Sequence, residues 1–312
     1  MYLVCGEALF DFFSETEADG PASQVNYKAI AGGSPFNVAV GLRRLGIESA
    51  LFAGLSTDYL GRRLQQVLLN EGVSARYLVD FDAPTTLAMV AVGANGSPHY
   101  SFRGEGCADR QLSLADLPDL GPEVRGLHVG SFSLVVQPIA DTLLALVQRE
   151  SGQRLISLDP NVRLNPQPDI ELWRSRIATL VQYADLIKVS DEDLDLLYPG
   201  IEPQAVIEGW LGHRCQVVFL TRGGQGATVF SRQHGTWSLP ACPVKIADTV
   251  GAGDTFQAAL IAWLTEQQLD SVEGVRTLPR EQISAMLEFA IRAAALTCGK
   301  TGPDLPYRQQ LC

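Results

Sequence analysis

Short runs of apolar residues alternate along the chain with longer segments in which apolar residues recur at helical spacing. The runs that predict strands are Tyr2–Cys5, Ala50–Ala53, Gly126–Val129, Leu155–Leu158, Leu186–Val189, Val217–Leu220 and Ala227–Phe230. Continuous apolar runs separated by helices are typical of parallel strands that are covered on both faces. The pattern therefore predicts an α/β fold built on a mostly parallel central sheet.

The segment from Ser34 to Gly46 carries the signals of a helix. Ser34 offers an N-cap hydroxyl, Pro35 suits the first helical position, and Gly46 suits the end. Val38 and Leu42 lie at the spacing of one helical face. We therefore predict a helix here, with Ser34 as its N-cap.

Two segments break the alternation of strands and helices. Phe12–Ile30 is polar and irregular, while Thr85–Val92 and Tyr100–Arg103 flank an Asn95-Gly96 turn and predict a β-hairpin. Residues 12–30 and 85–104 together predict a small β-lid over one end of the sheet. A hairpin that extends the edge of the sheet fits the same pattern. There is no internal repeat, so residues 1–312 are interpreted as a single domain with these lid segments inserted in it.

The composition narrows the classes of function. The 312 residues are 46% hydrophobic and 19% charged, which is enough to bury a large core. A net charge of −11 argues against nucleic-acid and anionic-membrane partners, since both require a basic surface. The N-terminus has no basic leader, and no stretch reaches the roughly 18 apolar residues of a membrane span. The six cysteines form no C-x-x-C pair, so we expect reduced thiols in a cytoplasmic protein.

The motif from Asp248 to Phe256, DTVGAGDTF, places a turn of small residues before an apolar helical segment. Backbone N–H groups of the Gly251–Gly253 turn can point at one anion, and the positive end of the following helix adds to the attraction. Asp254 then supplies a carboxylate that can accept a proton beside that anion. The competing interpretation is a plain glycine turn with Asp254 as N-cap. A dinucleotide fingerprint is weak, because Phe256 stands where glycine or alanine is required.

Polar residues also follow the predicted strands, at the end of the sheet where open α/β folds bind ligands. They form four groups: Glu7 and Asp11; Asp159, Asn161 and Arg163; Lys188, Ser190 and Asp193; Thr221, Gly223 and Gly226. A single group of this kind is usually a cap or a turn. Four groups together with the Gly-Ala-Gly turn favour a ligand site, in which Arg163 offers a guanidinium fork for phosphate oxygens.

Other motifs in the chain are rejected. Residues 294–301 imitate a phosphate loop, but they end a helical segment instead of joining a strand to a helix. The chain has no G-x-S-x-G elbow, and its four histidines lack the spacing of metal ligands. His128 lies inside a predicted strand and is interpreted as a core residue.

These motifs resemble those of the ribokinase-like (PfkB) family of sugar kinases, and within it the bacterial fructokinases. Residues 31–39, AGGSPFNVA, are similar to the family's N-terminal signature, and residues 248–256 are similar to its C-terminal one. Residues 6–11, 159–163 and 187–193 are similar to segments of fructokinases. The resemblance runs over almost the whole chain, and the pair of signatures at this separation is highly specific.

The resemblance implies a three-layer α/β/α fold with a β-lid, a sugar substrate, and ATP with Mg²⁺ as the phosphoryl donor. Asp254 would be the general base, and Gly251, Ala252 and Gly253 the anion hole. The residues implied to bind sugar are Asp11, Gly32, Gly33, Asn37, Arg103 and Arg163. Those implied to bind the nucleotide are Lys188, Ser190, Thr221, Gly223 and Gly226. Separately from the resemblance, an exposed lid edge would suit a homodimer, and a monomer with a charged edge fits the sequence nearly as well.

The metal sites implied by the resemblance fit this chain less well. Asp193 would serve Mg²⁺, but many family members have Asn and Glu where this chain has Ser190 and Asp193, so the shorter Asp193 would act through water. Asp248 matches a monovalent-cation position, implying K⁺. The loop Lys300–Pro306 departs from the expected spacing of the other cation ligands.

Three other functions stay open at this point. The chain fits a kinase of 2-keto-3-deoxygluconate, ribose or a nucleoside on the same scaffold, because sugar contacts and phosphate contacts come from different segments. A sugar-binding regulator without catalysis is a second alternative, which the intact Asp254 and its glycine turn disfavour. An oxidoreductase is the weakest of the three.

Overall fold

The computed structural model describes residues 1–15, 23–92 and 98–311, with the backbone alone at 91, 92 and 98–100. The predicted Asn95-Gly96 turn lies outside the described residues. The strands are β1 (Tyr2–Cys5), β2 (Leu9–Ser14), β3 (Tyr27–Gly32), β4 (Ser49–Ser56), β5 (Leu78–Phe81), β6 (Leu87–Val92), β7 (Pro98–Arg103), β8 (Gly126–Gly130), β9 (Leu155–Asp159), β10 (Leu186–Ser190), β11 (Val217–Thr221), β12 (Ala227–Ser231) and β13 (Gly235–Leu239).

The helices of the described residues lie mostly between these strands. The α-helices are α1 (Ser34–Arg44), α2 (Tyr59–Asn70), α3 (Ile139–Glu150), α4 (Ile170–Leu180), α5 (Asp191–Leu197), α6 (Pro203–Leu211), α7 (Ala252–Glu266), α8 (Val272–Arg276) and α9 (Arg280–Cys298). Short 3₁₀ turns occupy Ala108–Arg110, Leu114–Asp116, Ser131–Leu134, Gly223–Gln225 and Arg308–Leu311. Among the described residues, no helix combines the length and the apolarity needed to cross a bilayer.

The main sheet has nine strands in the order β13-β12-β11-β10-β9-β8-β1-β4-β5. All pairs from β11 to β5 are parallel, and β12 and β13 add an antiparallel edge. This confirms the predicted mostly parallel sheet. The carboxyl ends of its parallel strands therefore meet at one edge, where ligands bind in open α/β folds.

The core has two parts, one on each face of the main sheet. Alternate residues of β11 divide between them: Val217 and Phe219 pack with α1, α7 and α9, while Val218 and Leu220 pack with α3, α4 and α6. Successive side chains of a strand point to opposite faces, so a strand buried on both sides must be apolar throughout. The three-layer α/β/α arrangement is therefore confirmed, as is the core position of His128 in β8.

A second sheet of four strands has the order β3-β2-β6-β7 and is separate from the main sheet. β6 and β7 form the predicted antiparallel hairpin. The prediction of an irregular segment from 12 to 30 is wrong at both ends, since β2 and β3 pair antiparallel with Asp11 opposite Ile30. β3 is half exposed and so lacks the continuous apolar run of a buried strand. Phe12 and Tyr27 make an edge-on contact between these two strands.

Helix α1 begins one residue earlier than predicted. Gly33 is the N-cap, with φ of 102°, and Ser34 is the first helical residue, so the prediction of Ser34 as N-cap is wrong. α1 packs closely on α7, because a Cβ atom on Gly41 would lie 3.0 Å from Ala258 Cβ and 2.5 Å from Leu305 Cδ2. A side chain at position 41 would therefore force the two helices apart.

Glu7 lies buried between β1 and the start of α1. Its side chain accepts a hydrogen bond from Ser133 Oγ, and its backbone oxygen would lie 2.9 Å from a Cβ atom on Gly33. Glu7 is 1% exposed. Burial raises the pKa of Glu7 to about 7, although hydrogen bonds from Ser133 and Ser131 act in the opposite direction. Glu7 therefore joins three segments at the ligand-binding edge of the sheet, and it keeps its proton to a higher pH than an exposed glutamate does.

We expect Glu7→Gln to change how stability depends on pH. Since folding raises the pKa of Glu7 from 4.5 to about 7, its contribution is fully present below pH 4.5 and is lost as pH rises through 7. Glutamine keeps a neutral group at every pH. The difference in free energy of unfolding, variant minus wild type, should grow by about 2 to 3 kcal/mol between pH 5 and pH 8.

Urea unfolding at several pH values measures this difference. Glu105→Gln, at an exposed loop position, is the matched control and should give a nearly constant difference. Parallel stability curves for Glu7→Gln and wild type would contradict a buried proton on Glu7.

Candidate active site

The Gly-Ala-Gly turn forms the N-terminus of α7. Gly251 is the N-cap in the left-handed region, with φ of 78°, which glycine adopts without strain. Asp254 is the third residue of the helix, so the interpretation of Asp254 as N-cap is wrong. Ala252 N–H donates to Thr249, whereas the N–H groups of Gly253 and Asp254 have no acceptor within the described residues. Free N–H groups at a helix N-terminus are suited to binding an anion.

Two residues of α1 fix the carboxylate of Asp254. Ser34 Oγ donates to Oδ1 at 2.6 Å, and Asn37 Nδ2 donates to Oδ2 at 2.8 Å. Both donors are nearly buried, which limits competition from water. Each oxygen keeps the capacity to accept a further hydrogen bond. Asp254 is thus held in one orientation at the helix N-terminus by residues more than 200 positions away in sequence.

A buried ion pair lies beside the turn. Lys188 Nζ is 3.0 Å from Asp159 Oδ2, with the two side chains 4% and 1% exposed. A Cβ atom on Gly253 would lie 3.0 Å from Lys188 Nζ. Burial opposes the ammonium charge, but three nearby carboxylates, Asp159 first among them, raise the pKa of Lys188. A charged ammonium group therefore stands next to the free N–H groups of α7.

Asp11 lies near both Asp254 and Arg163, whose charges act on it. Asp11 Oδ2 would be 2.5 Å from a Cβ atom on Gly32, so the carboxylate rests on that glycine. Burial raises the pKa of Asp11 to about 6, the charge of Asp254 adds to this, and Arg163 opposes it. Arg163 is exposed and its Nη1 donates to the Val162 carbonyl at 2.9 Å. The structure thus brings these predicted sugar-binding residues together with the predicted base.

The predicted nucleotide residues follow β10 and β11. Ser190 and Thr221 are partners in the register of these adjacent strands, and Thr221 Oγ1 donates to the Val189 carbonyl at 3.4 Å. Gly223 and Gly226 bound the turn into β12, with φ of 48° and 94°. These backbone segments lie at the same end of the sheet as the Gly-Ala-Gly turn, with little side chain to obstruct a planar base.

Asp193 and Asp248 both use their carboxylates to hold the backbone. Asp193 accepts N–H bonds from Val162 at 2.8 Å and from Ser190 at 3.3 Å, closing a capping box at α5. Asp248 accepts N–H bonds from Val250 at 3.1 Å and Gly302 at 2.9 Å. Within the part of the chain that the structure describes, no three His, Cys, Asp or Glu side chains cluster as a metal site.

The site also contains groups that pattern analysis missed or left without a role. Ser34 was interpreted as a cap, and a serine before proline gives no signal for a partner on α7. The motif containing Asp159 gives it no role by itself. Lys188 inside the apolar strand β10, however, predicts a buried counter-charge, which is Asp159. Gln257 donates to Ser157 at 2.8 Å beneath the site. Arg103, predicted to bind sugar, is exposed at the end of β7.

The chain is similar to proteins named as fructokinases. A fructokinase from Rhizobium leguminosarum bv. trifolii is 36% identical over 309 residues, covering 99% of this chain and 88% of the relative. The crystal structure of a fructokinase with bound ATP from Xylella fastidiosa matches with a TM-score of 0.91 and 27% identity, covering 99% and 96% of the two chains.

A further structural match and a family model cover almost the whole chain. A fructokinase double mutant from Vibrio cholerae O395, in a form with bound fructose, ADP and potassium ion, matches with a TM-score of 0.82 and 26% identity, covering 99% and 96% of the two chains. The model of the pfkB family carbohydrate kinases matches residues 1–310. The chain therefore belongs to the PfkB family of carbohydrate kinases.

Proposed function

We propose that this carbohydrate kinase transfers the γ-phosphoryl group of MgATP to a hydroxyl of fructose, giving fructose 6-phosphate. The observation that carries the proposal is Asp254, oriented by Ser34 and Asn37 at the N-terminus of α7. The similar proteins named as fructokinases support fructose as the acceptor, and the ATP-bound structure from Xylella fastidiosa supports ATP as the donor. Asp254 acts as the general base.

In this reaction the acceptor hydroxyl gives its proton to Asp254 as its oxygen bonds to phosphorus. The bond from phosphorus to the leaving oxygen of ADP breaks in the same transfer. Free N–H groups at the start of α7 and the Lys188 ammonium stabilise the negative charge on the transferring group. The fixed carboxylate aligns the hydroxyl, which lowers the entropic part of the barrier.

Different segments of the chain form the proposed sugar and nucleotide subsites. Asp11, Gly32, Gly33, Asn37, Arg103 and Arg163 form the proposed sugar subsite, where the raised pKa of Asp11 and the exposed guanidinium of Arg163 suit hydroxyl and phosphate contacts. Ser190, Thr221, Gly223 and Gly226 line the proposed nucleotide subsite. Closure of the second sheet over the sugar would exclude water from the transfer.

Mg²⁺, if bound with ATP, would neutralise charge on the phosphate oxygens. Asp159 Oδ1 fits such an ion or its water shell, since it is buried without a hydrogen-bond partner among the described residues. Asp193 fits through water, because its oxygens already hold two N–H groups. A potassium ion near Asp248 stays a prediction, supported by the potassium-bound fructokinase from Vibrio cholerae O395.

We also propose a homodimer through the second sheet and a cytoplasmic location. β3 is the edge strand of that sheet, and Val25 and Tyr27 beside this edge are 52% and 41% exposed. Unpaired edge strands with exposed apolar groups favour pairing with another copy. The described cysteines are free thiols, which suits a reducing compartment.

ADP release from MgATP tests the function. The acceptor panel is fructose, ribose, 2-keto-3-deoxygluconate, glucose and nucleosides, in sodium and in potassium buffers. Fructose should give the highest kcat/KM. Faster turnover with another acceptor would identify that compound as the substrate of the same fold. If no acceptor gave ADP release while calorimetry still detected sugar binding, the protein would be a sugar-binding regulator without catalytic activity.

We expect Asp254→Asn to lower kcat by roughly 10²-fold or more, because the amide cannot accept the hydroxyl proton. The amide retains the size of the carboxylate, so the fold and sugar binding should persist. Steady-state kinetics and calorimetry with fructose separate the two effects. Asp119→Asn makes the same change at an exposed position and should leave kcat unchanged. Turnover of Asp254→Asn within a few-fold of wild type would remove Asp254 from the mechanism.

We expect Gly253→Ala to lower kcat by roughly 10-fold or more. Its methyl group would lie 3.0 Å from Lys188 Nζ. It would occupy the space between the ammonium and the free N–H groups, which is where the transferring phosphoryl group is proposed to lie. Gly209→Ala is the matched control, because a Cβ atom there would meet no atom within 4 Å. Equal kcat values for the two variants would show that the phosphoryl group lies elsewhere.

A further inference from the structure

A cavity of about 480 Å³ opens at the end of the main sheet opposite Asp254. Asp185 directly precedes β10 and Gln216 directly precedes β11, so both lie at the amino ends of these parallel strands. The groups described above lie beyond the carboxyl ends. The residues that line the cavity are Asp185, Arg214, Gln216, Arg232, Gln233, Val272 and Arg276. It is therefore separate from the proposed catalytic site.

Three of these residues are arginines, in a chain whose net charge is −11. Asp185 is the buried carboxylate among them, and its Oδ1 lies 2.6 Å from Arg214 Nε. Its Oδ2 accepts the Ile156 N–H at 2.9 Å, so this carboxylate is fully engaged. Glu273 adds an exposed carboxylate 3.9 Å from Arg276. Positive charge therefore exceeds negative charge around the cavity.

The arginines retain donors that the protein does not use. Arg214 Nη2 is buried and has no hydrogen-bond acceptor among the described residues. Arg232 Nη1 donates to the His213 carbonyl at 2.6 Å, which leaves the rest of its guanidinium fork free for a ligand. Arg276 is largely exposed, and its contact with Glu273 at 3.9 Å is longer than a hydrogen bond.

One glutamine connects two walls of the cavity, and a second makes a local contact in the segment before β11. Gln216 Nε2 donates to the Arg214 carbonyl at 2.6 Å, beside β11. Gln233 Nε2 donates to the Arg276 carbonyl at 2.8 Å, which connects the turn after β12 to α8. The bracing indicates a site of fixed shape.

We propose that this cavity binds a small, multiply charged anion that carries phosphoryl groups. Guanidinium forks match phosphate oxygens in pairs, and arginine stays charged at every physiological pH. The volume falls within the range of small-molecule sites. The ligand is held by Arg214, Arg232 and Arg276, with Asp185 fixing the orientation of Arg214.

Calorimetric titration with inorganic pyrophosphate tests this site on the full chain. Metal-free buffer prevents the ion from being chelated and disfavours binding at the proposed nucleotide subsite, where phosphate groups are expected to bind together with Mg²⁺. Wild type should bind one equivalent, with affinity that weakens as salt concentration rises. Failure of wild type to bind pyrophosphate overturns the proposal.

The double variant Arg232→Gln/Arg276→Gln should bind pyrophosphate at least 10-fold more weakly. Arg63→Gln/Arg292→Gln removes the same charge from exposed positions on α2 and α9 and should bind like wild type. The single variant Arg276→Gln changes an exposed side chain and should therefore keep its fold. Its affinity for pyrophosphate should fall at least 3-fold. ADP release from MgATP and fructose should be unchanged in the double variant. Equal affinity in wild type and both cavity variants overturns the proposal.

Discussion

The hydrogen bonds from Ser34 and Asn37 to Asp254 are the contacts on which the proposed site depends. They join the first helix of the chain to α7, which begins some 200 residues later. The two helices reach each other because Gly41 allows α1 to approach Ala258 and Leu305 closely. The rest of the fold, a parallel sheet covered on both faces, supplies the rigid support that holds these helix N-termini at one edge.

Burying charged groups around Asp254 costs free energy of folding. Their position beside the proposed phosphoryl-transfer site indicates a role in catalysis. Removing charged groups from water is unfavourable unless they are paired, and an apolar pair is often more stable than a buried ion pair. Lys188 and Asp159 are nevertheless almost fully buried beside the free N–H groups of α7. Such preorganised charge contributes to stabilising an anionic transition state, because no reorganisation is needed when the reaction occurs.

Local patterns predicted the main sheet well, because strands buried on both faces must be apolar throughout. The pairing of β2 with β3 was missed because both strands are incompletely buried: β2 is partly exposed from Asp11 onward and β3 is exposed over its first three residues, so the continuous buried run of a core strand is absent. Ser34 shows a second limit of prediction from local sequence. A serine hydroxyl before proline can cap a helix or donate to a distant carboxylate, and the local sequence does not distinguish the two roles. The arginine cavity could not be predicted, since its residues come from separate segments that only the tertiary fold brings together.

The central claim is that the phosphoryl group passes to the C6 hydroxyl of fructose, which Asp254 holds. Phosphorus NMR of a reaction of the enzyme with MgATP and fructose tests it most directly. The account predicts ADP together with a phosphate monoester resonance coupled to the protons on C6 of fructose. Inorganic phosphate as the sole new product, or a monoester on another carbon, would contradict it.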